Sequence, residues 1–120
     1  MAVFLAGACG ALCRYVVDGV VQERWSQAFP IGTFVVNMSG AFLLGIGAGF
    51  FAAHISAPND VKAIVETGFI GAYTTFSTWM YETSRLFKEG ARRYGLMNIL
   101  GSVMGGSAVA AIGLLLGGRL

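Results

Sequence analysis

The sequence predicts an all-α membrane protein, with four transmembrane helices per chain and the third helix broken. Three observations carry this. The hydrophobic set (AVILMFWYC) makes up 56% of the 120 residues, and Asp, Glu, Lys and Arg together only 12%, roughly half the share of about 25% found in soluble domains. A chain this short leaves much of its surface exposed, and so few charges cannot cover that surface in water. The apolar runs are also continuous and long, as membrane helices require, instead of alternating over about ten residues as barrel strands do. Disorder is excluded, because disordered chains are polar and charged. The net charge of +2 and the absence of any basic run beyond Arg92 and Arg93 argue against a nucleic-acid partner.

Each span follows from the charges that bound it. The first runs from Ala2 to about Val21 and is interrupted by Arg14 and Asp18. The second, Ile31 to Ala53, lies inside the charge-free stretch Trp25 to Asn59, with Pro30 just before it, where a helix start tolerates proline. Twenty helical residues cover about 30 Å, the thickness of a bilayer core. The third runs from Val61 to Tyr81 with Glu66 near its start, and the fourth from Tyr94 to Gly118, closed by Arg119. Connections fall near residues 22–29, 56–60 and 85–93, which leaves residues 1–120 as a single four-helix transmembrane domain. The start lacks a basic n-region and is read as mature protein. Cys9 and Cys13 stand one turn apart, a poor geometry for a disulfide on a continuous helix, and are read as small packing residues.

Glycine supplies 18 positions. The pairs Gly45/Gly49, Gly101/Gly105 and Gly113/Gly117 have the small-xxx-small spacing that lets membrane helices approach closely. Arg14 apart, the cations Arg24, Arg85, Lys88, Arg92 and Arg93 fall in the connections after spans one and three, while Lys62 and Arg119 lie on the other side. This modest bias favours the first group facing the cytoplasm.

Polar groups at membrane depth are costly and each is a functional hypothesis. Arg14 needs a partner or a route to the interface near Asp18. Asn37, among Val35, Val36 and Met38, can bond a neighbouring helix or offer N–H donors to an anion. The stretch Gly71-Ala72-Tyr73-Thr74-Thr75-Phe76-Ser77-Thr78-Trp79 is either a helix whose hydroxyls bond back to its own carbonyls or a break. The density of weak helix formers favours the break, which frees carbonyls for a cation and N–H groups for an anion. No catalytic set is visible: there is one histidine, His54, and no metal-ligand cluster or phosphate loop. The chain is therefore not expected to be an enzyme. No carboxylate sits mid-span among the donors, which suits a small anion better than proton-coupled transport.

At these residues the chain resembles the bacterial fluoride channel family, Fluc or CrcB. The resemblance rests on residues 6–15 ending in Arg14-Tyr15, on Phe29-Pro30-Ile31-Gly32-Thr33 leading to Asn37 and Gly40-Ala41-Phe42, and on Gly68 through Thr78 followed by Glu82. It implies an antiparallel, dual-topology homodimer in the cell inner membrane, with two fluoride pores between the copies. Asn37 would line the pore, and Phe76 would be the first of two phenylalanines whose ring edges meet fluoride. Ser77 and Thr78 would belong to its polar part, Ser102 to a polar track on the fourth helix, and Arg14 to one vestibule. The carbonyls of Gly71 and Thr74 would hold a central, structural sodium ion (Na+). Trp79 stands where the family has its second phenylalanine. The alternatives are a small multidrug-type cation exporter, which would need Asp18 as its embedded acid, and a structural membrane subunit.

Overall fold

In lipid a backbone must satisfy its own polar groups, and long apolar runs do so by coiling. The computed structural model describes residues 1–25 and 27–120. Its elements are α1 (Ala2–Arg24), α2 (Ile31–Ala53), α3 (residues 59–73), α4 (Ser77–Lys88) and α5 (Arg92–Gly117), with no strand among the described residues. α1, α2 and α5 are each long and apolar enough to cross a membrane. α1 continues through Gln22, Glu23 and Arg24, past the expected end at Val21. The connection expected at 22–29 contains Ser26, which lies outside the described residues.

The expected third span is two helices. α3 begins as Asn59–Lys62, passes through a π-helical stretch, Ala63–Ile70, and ends in the turn Gly71–Tyr73. The chain then opens: Thr74 takes φ −78° and ψ 160°, an extended conformation, and α4 starts at Ser77. The break thus falls inside the polar stretch that predicted it. The π-helical stretch has no marker in the sequence. α4 stops at a Schellman turn, in which Gly90 adopts φ +81°. Ala91 N–H reaches Leu86 O at 2.8 Å and Gly90 N–H reaches Phe87 O at 3.2 Å. Only glycine takes that left-handed position without penalty, and the turn folds α5 back along α4.

The long helices pack as two parallel pairs. In α2 against α5, a Cβ on Gly45 would overlap the Ala110 carbonyl, and one on Gly49 the Leu114 carbonyl. From the other side, Gly113 and Gly117 lie against the carbonyls of Phe42 and Ile46. These four glycines therefore set the backbone separation, as their spacing predicts. The Gly101/Gly105 pair does not: a Cβ on Gly101 would stand 3.7 Å from the Phe34 ring and one on Gly105 3.2 Å from the Met38 sulfur, so large side chains fill the gap. α1 pairs with α3, where Gly10 lies on the Phe69 carbonyl.

Buried apolar side chains are few, chiefly Val36, Ile70, Tyr73 and Leu86, while Phe4, Leu12, Val16 and Leu115 are exposed. That inversion suits helices whose outer faces meet lipid or another copy. Cys9 and Cys13 are free and lie on one such exposed face of α1.

The α2–α5 contact yields a test. Gly113→Leu would force a side chain into the Phe42–Ile46 backbone, where nothing can yield, at a cost of roughly 1–3 kcal/mol or more. Gly101→Ala meets a ring edge at ordinary contact distance and should be close to neutral. Thermal unfolding in detergent should show a clear loss for the first and little change for the second.

Candidate functional site

Breaking a helix leaves backbone groups without partners, and unpaired groups at membrane depth cost several kcal/mol each. At 74–76 one side chain meets most of that demand. Asn37 Nδ2 donates to the Thr75 carbonyl at 2.9 Å, and Thr75 N–H donates to Asn37 Oδ1 at 2.9 Å. The amide of α2 thus pairs with a main-chain unit as a neighbouring strand would. Gly40, one turn further along α2, leaves the space that the Thr74 methyl fills. Thr75 Oγ1 accepts Thr78 N–H at 3.3 Å and donates to Thr78 Oγ1 at 3.0 Å, capping α4 from within the break. Ser39 and Tyr73 share a hydrogen bond at 2.8 Å that ties α2 to the end of α3.

Two cavities flank Thr75. The larger, about 400 Å³, is an open groove whose wall includes Asn37, Thr74, Phe76, Trp79 and Ser102, with no ionisable side chain. The smaller, about 180 Å³, lies between α1 and α2 and is lined by Arg14, Asp18, Thr33 and Thr78 among others. Thr33 Oγ1 is buried there without a hydrogen-bond partner.

The expected site residues divide between these cavities. Asn37, Phe76, Trp79 and Ser102 come together on the groove. Phe76 is 72% exposed, its ring 5.4 Å from that of Trp79. Thr78 turns to the smaller cavity with Arg14, and Ser77 is exposed at the start of α4 and lines neither. Arg14 does not snorkel toward Asp18. It turns inward and donates from Nη1 to the Thr74 carbonyl at 3.4 Å. Gly71 is exposed, and the Thr75 N–H that would continue the helix at its carbonyl is committed to Asn37.

Two residues on α4 and α5 escaped the sequence reading. Trp79 Nε1 donates to Ser102 Oγ at 3.1 Å and to the Asn98 carbonyl at 3.3 Å. Asn98 is fully buried, and its Nδ2 donates to Thr83 Oγ1 at 2.8 Å. Asn98 is a lone amide in the charge-free run that begins at Tyr94, the same signal that marked Asn37. Thr83 had none, because it lies beyond the expected span.

This arrangement is that of a membrane helix bundle with an open, uncharged groove beside a helix break. The family described as "CrcB-like protein, Camphor Resistance (CrcB)" matches residues 1–114, and the chain belongs to that family. Among its relatives, the "Fluoride-specific ion channel FluC" of Maridesulfovibrio salexigens is 44% identical over 92% of this chain and 88% of its own length. The "Fluoride-specific ion channel FluC 2" of Mycolicibacterium paratuberculosis is 49% identical over 92% and 87%. The "Fluoride-specific ion channel FluC 1" of Leifsonia xyli is 42% identical over 98% and 85%.

The Asn37 clamp predicts a stability effect separable from transport. Asn37→Ala strands both the N–H and the carbonyl of Thr75, at about 1–3 kcal/mol for each buried group. Asn37→Asp keeps the acceptor but sets a carboxylate against the Thr75 carbonyl. Both variants should unfold at lower temperature than the parent in detergent, the alanine variant measurably so even in the absence of any transported ion.

Proposed function

We propose that the chain is a fluoride-selective channel. It lets fluoride leave the cytoplasm passively across the inner membrane, through two pores between two copies inserted antiparallel. The observation that carries this reading is the groove beside the break, where Asn37, Ser102 and the Phe76 ring line a path with no ionisable side chain on its wall. Fluoride is small and strongly hydrated, so a pore must replace its water with donors and yet let the ion go. Neutral donors do both, where a fixed cation would trap it.

The donors can be named. One N–H of Asn37 is taken by Thr75, and the other is left for the anion. Ser102 offers a hydroxyl, and Phe76 the electropositive rim of its ring. The first turn of α4 opens at the break, and the N-terminal end of a helix favours negative charge. Arg14 stays behind Thr74, so its charge is felt across the break without standing in the groove. The names of the relatives support the same ion. They give no support to a cation exporter, and Asp18, the acid such an exporter needs, lies on the smaller cavity.

Two copies are needed because the groove lies open on a single chain and leaves Phe76 exposed. The modest cation bias of the connections weighs little against insertion in both orientations. The freed carbonyls suit a hard cation: the Gly71 oxygen has lost its helical donor, and the Thr74 oxygen has only a long contact to Arg14. Sodium held there by both copies would supply a fixed positive charge that offsets repulsion between anions in the two paths.

The test is efflux from proteoliposomes read with a fluoride electrode. The parent should release fluoride and retain chloride. Phe76→Ile, of similar bulk and without a ring edge, should fall to the protein-free rate while the purified protein keeps its size and unfolding temperature. Efflux at the parental rate in Phe76→Ile would remove that ring from the path.

A further inference from the structure

Four residues close a ring of hydrogen bonds between α4 and α5, and two of them line the groove. Trp79 Nε1 donates to Ser102 Oγ at 3.1 Å, Ser102 Oγ to Asn98 Oδ1 at 3.5 Å, and Asn98 Nδ2 to Thr83 Oγ1 at 2.8 Å. Thr83 Oγ1 donates to the Trp79 carbonyl at 2.7 Å. The weakest of these is the bond from Ser102 to Asn98, at the limit of hydrogen-bond length. Trp79 and Ser102 both line the groove, and Asn98 is buried behind them.

A serine hydroxyl is ambivalent. It can turn its hydrogen to an anion or its oxygen to a cation. An indole N–H is a donor only, and here it occupies the serine oxygen. The positive end of the N–H dipole then stands against the lone pair that a cation would seek. The hydroxyl hydrogen is directed away from the indole, toward the distant Asn98 oxygen or toward an ion in the groove. Giving up a 3.5 Å bond costs little, and a donor that is itself accepting a hydrogen bond is polarised and strengthened.

We propose that Trp79 is a positioning residue that holds Ser102 as a hydrogen-bond donor toward the groove, and so biases the path toward anions. This rests on the channel reading above and adds to it a contact no phenylalanine at residue 79 could make. The indole N–H, committed to α5, does not itself meet the ion.

The test combines flux with a readout that needs no conduction. Fluoride efflux is measured against fluoride concentration for the parent, Trp79→Phe, Ser102→Ala, the double variant and Ser102→Thr. Loss of one hydrogen bond corresponds to about a three- to tenfold change. Each of the first two variants should raise the half-saturating concentration by that factor, and by more than it lowers the maximal rate. The double variant should be no worse than either single one, and Ser102→Thr should stay near the parent. Multiplying losses in the double variant, or an unchanged Trp79→Phe, would overturn the proposal. In parallel, Trp79 emission is followed in a Trp25→Phe background while sodium fluoride or sodium chloride is added. Fluoride should change the emission, chloride should not, and Ser102→Ala should abolish the response. A response that survives Ser102→Ala would also overturn the proposal. Emission that responds through Ser102 in a chain that passes no fluoride would overturn the channel reading and leave this contact standing.

Discussion

The structure turns on one unusual pairing, the Asn37 amide bonded in both directions to the main chain of Thr75. A helix interrupted at membrane depth cannot borrow water for its freed groups and must find partners in the protein. Without Asn37 the N–H and the carbonyl of Thr75 would both be left unpaired at membrane depth, a cost that opposes the break. With it, the chain holds an opening three residues long. Neighbouring residues serve the same end: Gly40 gives room for the Thr74 methyl, Thr75 caps α4, and Arg14 reaches the Thr74 carbonyl from α1.

The break also decides what stands where. It separates two cavities of different character, an uncharged groove toward α5 and a smaller one that contains Arg14 and Asp18. In the proposed function the first is a path lined by neutral donors, and the second holds the ionisable groups out of that path.

Much of the fold was legible because it depends on composition and period. Charge-free runs bounded by Arg and Asp mark α2 and α5 to within a few residues, α1 is marked by an apolar run despite Arg14 and Asp18, and the Thr-rich stretch after Gly71 marks the break. Spacing alone identified the Gly45/Gly49 and Gly113/Gly117 contacts. It misled at Gly101/Gly105, because a glycine pair does not say whether backbone or a long side chain such as Met38 fills the space. The π-helical stretch at Ala63–Ile70 was hidden because it depends on packing against α1. Asn37 and Ser102 could be picked out as polar residues in apolar helices. Their roles could not, since an amide that clamps a backbone and one that faces an ion look alike in sequence. The commitment of the Trp79 N–H to α5 likewise needs Asn98 and Ser102 in three dimensions.

The central claim is that Asn37 divides its amide, one N–H holding the break and the other facing the anion. The measurement that tests it most directly is the nitrogen-15 and proton spectrum of the Asn37 side-chain amide during titration with sodium fluoride. One of the two N–H protons should shift saturably with fluoride while its partner, bonded to the Thr75 carbonyl, stays nearly fixed, and sodium chloride should move neither. Two protons that ignore fluoride, or that respond equally to fluoride and chloride, would contradict the account.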